Sequence, residues 1–372
     1  MRRVLQRLGW LLAGALLAVA LLEIVLRLMP VSMGMNRSLE FDRWPLSYAM
    51  PHFRYVHSTG WAMLNARSGL TNNYGHVAPF DFKQRSHPVL VLGDSYIESL
   101  MNDYGDSLQG QLGGRLGAPE SVYGLGVSGA SASGYVGLAK LARTEFEPTA
   151  AVVLLSDGDL SESMQRSVGT HYLKQRADGT LELAFEPIPG VPLSTRIRHV
   201  IGDFSLHRYL QVNLQFAPGN SFRGIGARPA PPQEVRRPDN PDRVEQQKRI
   251  ADWFLDQLPT SLGVPPRCIV LLLDADRYAI YKPELASVPK DAPPALAYAA
   301  GEARRRGFQV SELGPIFRER FARDHEKFDH YPIDRHWNQL GHRVASDEAF
   351  RLLSASAGNA QGSCLAQVRT VP

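Results

Sequence analysis

The stretch Val89-Leu90-Val91-Leu92-Gly93-Asp94-Ser95 sets the reading of the whole chain. Four apolar residues in a row, with no polar alternation, are what a strand covered on both faces looks like, and such strands are usually parallel. Glycine allows a tight turn directly after the run. A helix starting there would aim its free N–H groups and positive end at the Ser95 hydroxyl. Ligands of open α/β sheets sit at the carboxyl ends of the strands. Ser95 therefore stands where a nucleophile needs to be, exposed and close to donors for an oxyanion. A serine in this place is also an ordinary helix cap, and the tripeptide Gly93-Asp94-Ser95 leaves both roles open.

Runs of the same kind recur at Ser121 to Val127, Ala150 to Leu155, Cys268 to Leu273 and, more weakly, Phe308 to Leu313. Helical patterns lie between them. Asp106 can cap a helix carrying Leu108, Leu112 and Leu116, with Gly117 as its stop. A second lies within Gly134 to Phe146. A third begins near Asp242 and carries Ile250, Phe254 and Leu258 before Pro259 ends it. Strands alternating with helices imply βαβ crossovers, hence an α/β fold: a three-layer α/β/α sandwich around a mostly parallel sheet, flavodoxin-like in outline.

One stretch breaks this rhythm. His171 to Arg176 and Thr180 to Phe185 flank Asp178-Gly179, a good hairpin turn. An amphipathic helix is expected around Ser205 to Leu214, followed by a Pro- and Arg-rich piece from Pro218 to Arg243. The expected plan is an anchor over 1–30, a lead-in over 31–85, a main domain over 86–356 with an insertion at 162–243 ending in a mobile loop, and a tail over 357–372.

The N-terminus points to a compartment. Arg2, Arg3 and Arg7 precede a run that is apolar from Leu8 to Leu22 and continues to Met29, broken only by Glu23 and Arg27. About twenty apolar residues span a bilayer as a helix, and basic residues ahead of them keep the N-terminus cytoplasmic. The expectation is a single-pass inner-membrane protein whose bulk is periplasmic or otherwise extracytoplasmic. Ala18-Val19-Ala20 resembles a signal-peptidase site, so a cleaved leader is the rival reading. Cys268 and Cys364 would then meet an oxidising milieu and could pair.

Composition narrows the rest. The 32 glycines and 26 prolines in 372 residues stay below the share that marks low complexity. Lys and Arg exceed Asp and Glu by only four, and they are scattered, so no nucleic-acid partner is indicated; Arg236 and Arg237 read as a solvated loop. Two cysteines exclude a disulfide scaffold and a four-thiolate zinc site.

The second chemical constellation is Asp334-Arg335-His336-Trp337-Asn338, with Gly341-His342 beyond. Side chains two apart share a side only in extended chain, so an Asp334 bond to the His336 ring requires a loop. Pro332 and a capping Asn338 ahead of Leu340, Val344, Leu352 and Leu353 support one. Asp334 could then orient His336 and leave its Nε2 free to take the Ser95 proton. His330 and His342 are alternative bases or, with Asp334, a metal cluster; no metal and no cofactor are expected.

At this point the chain resembles the SGNH (GDSL-type) hydrolase superfamily. The resemblance covers most of Leu70 to Leu353. It is carried by Thr71-Asn72-Asn73-Tyr74-Gly75, Val91-Leu92-Gly93-Asp94-Ser95, Tyr104-Gly105-Asp106-Ser107, Gly124-Leu125-Gly126-Val127-Ser128-Gly129-Ala130, and Asp334 to His342. The Asp-x-His-Trp-Asn form is similar to that of membrane-linked proteins that O-acetylate alginate and other exopolysaccharides, as is Leu273-Asp274-Ala275-Asp276-Arg277 followed by Ile280-Tyr281. The resemblance implies that Ser95 attacks an acyl ester, His336 serves as base then acid, Asp334 orients it, and the Ser95 and Gly126 N–H groups bind the oxyanion.

One block departs from the family pattern. Ser156-Asp157-Gly158-Asp159-Leu160 puts Gly158 where the family has its oxyanion-binding Asn, and Gly124 replaces another common Asn. Asn102 or Asn338 could substitute, the Gly158 N–H could itself donate, or activity is weak. An ionised Asp157 near the site would oppose an oxyanion. The expected function is a serine esterase or O-acyltransferase acting on an acylated carbohydrate or other ester, tied to the membrane by its N-terminal helix, with a membrane acyl donor protein as a candidate partner. The alternative is a weak or silent member that scaffolds surface-glycan assembly.

Overall fold

Val89–Gly93, Val122–Gly126, Ala150–Leu155 and Ile269–Leu273 are strands in which every residue is buried, as runs without alternation require. A computed structural model describes residues 2–33, 50–187, 201–216, 241–282, 293–332, 334–356 and 364–365. The chain opens with helix α1 (Arg2–Leu28) and strands β1 (Arg54–Thr59) and β2 (Leu64–Leu70). Then come β3 (Val89–Gly93), α2 (Ser95–Glu98), α3 (Leu108–Leu116), β4 (Val122–Gly126), α4 (Ala132–Glu145), β5 (Ala150–Leu155) and α5 (Asp157–Glu162). The pair β6 (His171–Gln175) and β7 (Leu181–Phe185) precedes a short helix α6 (Ser205–Arg208). The rest is α7 (Pro241–Leu262), β8 (Ile269–Leu273), α8 (Arg277–Tyr281), α9 (Pro294–Arg305), β9 (Gln309–Glu312), α10 (Leu313–Asp324) and α11 (Gln339–Ser356).

The chain divides into two compact units, and the division differs from the expected lead-in and insertion. The smaller unit comprises Met1–Asn36, Arg54–Gly69 and Gly190–Pro232; the larger comprises Arg37–Phe53, Leu70–Pro189 and Gln233–Pro372. The lead-in 31–85 and the insertion 162–243 are thus each split between the two. The reason lies in side-chain bonds of long sequence separation. Asn213 accepts from the Ser32 N–H at 3.0 Å and donates to Ser58 Oγ at 2.9 Å, while Ser58 donates to the Pro30 carbonyl at 2.6 Å.

Within the smaller unit, α1 is long and apolar enough to cross a membrane. Only Glu23 and Leu26 of its 27 residues are buried. Glu23 is more than a break in an apolar run: its carboxylate accepts from the Ser205 and Leu206 N–H groups at 3.0 and 2.8 Å, capping α6, and from Arg27 Nε at 2.7 Å. The helix expected over Ser205 to Leu214 is α6 running into a wider turn at Tyr209–Asn213.

In the larger unit the five-stranded sheet has the order β4-β3-β5-β8-β9, with each adjacent pair parallel. Leu92 lies opposite Leu125 on one side and Val153 on the other. Helix α3 packs with α11, and α4 and α9 with α7. Antiparallel β6 and β7 pair across Asp178-Gly179 as expected, with Gly179 at φ 84°. Arg236 and Arg237, and the Pro-rich loop over 217–240, lie outside the described residues.

Helix ends differ in detail. The cap of α3 is Ser107, whose Oγ accepts from the Gly110 N–H, because Asp106 is taken into a 3₁₀ turn, Tyr104–Asp106. Pro259 does not end α7; the helix runs on to Leu262, since a proline forfeits one hydrogen bond while Leu258 and Leu262 gain full burial. Gly263, at φ 70°, stops it. The expected C-terminal tail is pinned: Cys364 is bonded to Cys268 with 5.5 Å between Cα atoms, and Cys364 and Leu365 join the core.

That bond closes a loop 96 residues long, where the entropy lost by the unfolded chain is about 4–5 kcal/mol. Replacing both Cys268 and Cys364 by Ser is expected to lower unfolding free energy by about 2–5 kcal/mol in a denaturant titration. The untreated protein should show no free thiol in an Ellman assay until reduced.

Candidate active site

The turn after β3 builds the first half of the site. Asp94 caps α2 by accepting from the Tyr96 N–H at 3.0 Å, which places Ser95 at the first helical position, where the backbone N–H has no partner within the helix. The short helix fits only because its neighbours lack side chains. A Cβ on Gly93 would collide with Ile97, and one on Gly126 with the Ile97–Glu98 backbone.

The second half is a loop closed by an antiparallel bridge between Asp329 and Trp337. Inside it the His330 N–H donates to the His336 carbonyl at 3.1 Å and the Asp334 N–H to the His330 carbonyl at 3.1 Å. Asp334 Oδ1 then accepts twice from the residue two ahead, from the His336 N–H at 3.0 Å and from the ring Nδ1–H at 2.6 Å. With Nδ1 carrying the proton, Nε2 is the acceptor, and Ser95 Oγ lies 2.8 Å from it. Residues 241 apart in sequence are thus in hydrogen-bond contact. In this arrangement an imidazole can take a hydroxyl proton while a carboxylate holds its tautomer and stabilises the resulting charge.

A buried cluster holds the loop against the sheet. Arg277, 5% exposed, bonds Asp274 at the end of β8 and Asp329 at the base of the loop. Its Nη2 donates to Tyr96 OH at 2.7 Å and to the Arg335 carbonyl at 2.9 Å. Tyr96 OH donates to the same carbonyl at 3.1 Å, and Trp337 Nε1 donates to Asp274 at 3.1 Å. The peptide between Asp334 and His336 is therefore gripped from two sides. Sequence reading met Asp274, Arg277 and Trp337 only as parts of quoted motifs, without these contacts, and missed Tyr96 and Asp329, because nothing in local spacing announces a cluster assembled across four segments.

The other candidates are assigned elsewhere. His342 accepts from the Leu108 N–H at Nδ1, 3.1 Å, and so donates from Nε2 to Ser99 Oγ, 3.0 Å. Burial pushes its pKa down to about 3, with His330, His336 and Arg277 adding to the effect, and it is a neutral core residue rather than an alternative base. His330 Nε2 meets Asn102 Oδ1 at 3.1 Å. Among the described residues no group of three His, Cys, Asp or Glu is placed to hold a metal ion. Neither asparagine can substitute as an oxyanion donor. The Asn102 amide donates to Ser99 Oγ and the Trp337 carbonyl, and that of Asn338 to the Lys327 and Asp329 carbonyls. Asn338 does cap α11, through the Leu340 and Gly341 N–H groups.

The two glycines fall in different settings. Gly126 ends β4, and its place is explained by the close approach of α2. The Val127 N–H donates to the Gly93 carbonyl, so by alternation the Gly126 N–H faces away from β3. Gly158 is the second residue of α5, behind a capping box in which Ser156 Oγ accepts from the Asp159 N–H and Asp159 accepts from the Ser156 N–H at 2.6 Å. The Asp157 side chain lies outside what is described.

Electrostatics favour a protonatable His336. Burial alone would lower its pKa, but the bond and charge of Asp334, with Asp94 behind, outweigh burial and raise it above 6.5. Asp94 itself is pushed up to about 6 by burial and the nearby Asp274, against the pull of Tyr96 N–H and His336. In an NMR titration the His336 ring is expected to titrate above 6.5, and in Asp334→Asn below it, since burial is then left dominant. A His336 ring titrating at or below 6.5 in the parent would contradict this balance.

The sequence matches no protein-family model and no curated protein.

Proposed function

We propose that this chain is a membrane-anchored, extracytoplasmic serine esterase or O-acyltransferase of the SGNH type, acting on acyl esters of a cell-surface polysaccharide. The observation that carries the reading is the continuous contact Ser95–His336–Asp334 at the carboxyl end of a parallel sheet. The two helix groupings, α3 with α11 and α4 with α7 and α9, support outer layers on either side of that sheet. The disulfide fits an oxidising compartment, and α1 with three arginines in its first two turns fits a single-pass inner-membrane anchor with the remainder outside.

On this reading Ser95 Oγ attacks the ester carbonyl carbon as its proton passes to His336 Nε2. Asp334 stabilises the imidazolium. The oxyanion meets the Ser95 N–H, at the first position of α2, and the Gly158 N–H, at the second position of α5. Collapse breaks the ester C–O bond, and the departing sugar oxygen takes the proton from His336. Water, or a second hydroxyl, then attacks the acyl-Ser95 carbonyl while giving its proton to His336, and as the acyl–Oγ bond breaks His336 returns that proton to Ser95 Oγ.

A weakly active scaffold is the second reading, and one observation favours it: both candidate substitutes for the family's oxyanion Asn are fully engaged. Two experiments separate the readings. A fluorophosphonate should label the parent on Ser95 and leave Ser95→Ala unlabelled, with the same contrast in release of nitrophenol from p-nitrophenyl acetate. Equal background signals from both proteins would refute the enzyme. Gly158→Asn has room, since its Cβ would meet only the flexible end of Glu162 at 3.1 Å and Ser156 Oγ at 3.8 Å. As one oxyanion donor is worth about 10²–10³ in turnover, this variant should raise kcat at least tenfold.

A further inference from the structure

The apolar surface of α1 ends close to the far edge of a bilayer. From Leu8, the first residue after the basic flank, to Leu28 the helix rises about 30 Å at ~1.5 Å per residue, the thickness of a hydrocarbon core. In its last turns Glu23 turns inward to cap α6, yet Ile24, Val25, Leu28 and Met29 remain exposed. On that count these side chains come at the edge of the hydrocarbon.

The residues beside them are also apolar and exposed. Phe204, 46% exposed, directly precedes the Ser205 N–H that bonds Glu23, and Ile201 lies one turn earlier at 45%. Trp61 is 64% exposed; its carbonyl accepts from Tyr209 OH at 2.9 Å, and Met63, two residues on, packs with Leu26 and Val31. Helix end, α6 and the β1–β2 turn thus form one rigid piece, tied by Glu23 and Asn213. That piece carries exposed aromatic and aliphatic groups beside the C-terminal end of α1. Arg27 stands among them, 59% exposed beyond its bond to Glu23.

We infer that this collar, Ile24 to Met29 with Phe204 and Trp61, lies in the headgroup–acyl boundary of the phospholipid bilayer, so that the smaller unit is seated in the membrane surface. The inference rests on the reading of α1 as a membrane span. Aromatic rings favour that boundary because one side is apolar and the other wet, and a basic residue there meets lipid phosphate. A helix end docked by a buried carboxylate cannot swivel freely, so seating the collar also fixes the tilt at which the unit leaves the membrane.

The test uses the full chain in nanodiscs of phosphatidylethanolamine and phosphatidylglycerol. Single cysteines at Phe204, Trp61 and Leu12 are spin-labelled in separate proteins, the native cysteines being bonded to each other. Collisions of each label with oxygen and with a water-soluble nickel chelate report depth. Labels at 204 and 61 should give an oxygen-to-nickel collision ratio above one and below that at 12. A label at 12 that is deep, with 204 and 61 as nickel-accessible as the free label in buffer, would overturn the collar and leave the span intact. A label at 12 that is itself in water would overturn both.

Discussion

The guanidinium of Arg277, buried between Asp274 and Asp329, holds the place of almost everything around Ser95. Asp274 directly follows β8, Asp329 opens the loop of Asp334 and His336, Tyr96 follows Ser95, and the Arg335 carbonyl sits between Asp334 and His336. One planar cation with five donors can address all four, which an ammonium could not. Such a buried ion cluster adds little net stability, because desolvating the charges offsets most of their attraction. What it fixes is position: losing one partner would strand the others at a cost of about 3–5 kcal/mol, so the loop has one arrangement and not several. The contact of 2.8 Å between Ser95 and His336 inherits that single arrangement.

The strands were legible in the sequence because both-face burial leaves a direct trace, an apolar run without alternation; β3, β5 and β8 match to within a residue. Helix ends were less so. Asp106 and Ser107 are both good caps, and which one serves depends on a 3₁₀ turn that spacing does not report. Pro259 ought to end a helix on local grounds, but burial of Leu258 and Leu262 outweighs one lost bond. The division into units was not legible at all, for it depends on Ser32, Ser58 and Asn213 meeting from three distant segments.

In the site, the two residues with a local signature were readable. Asp and His two apart, next to a proline and a capping asparagine, can meet only in a loop, and they do. The placement of Ser95 followed from a strand that ends in glycine. Asn102 and Asn338 illustrate the opposite case. As residue types they could serve as oxyanion donors, yet an amide has only two N–H groups, and both are used on backbone carbonyls or a serine that hold the loop in place. Gly126 shows how a residue type can satisfy two explanations, since a donor site and a close helix approach both call for glycine. Only the second is visible in the packing of α2.

Whether acyl-Ser95 would pass its group to water or to a sugar is then a question of access. The side chains of His336 and Asp334 are 27% and 17% exposed, so solvent reaches the edge of the proposed base. On the proposed function, hydrolysis is accordingly the default fate of the acyl group. Transfer would require an acceptor hydroxyl held well enough to outcompete bulk water. Oriented groups can reach effective molarities of about 10⁵–10⁸ M, so a modest binding site for the acceptor is sufficient and no exclusion of water is needed. On the proposed function the choice between esterase and transferase would therefore lie in the affinity for a second carbohydrate chain, and not in Ser95, His336 and Asp334, which would serve both reactions identically.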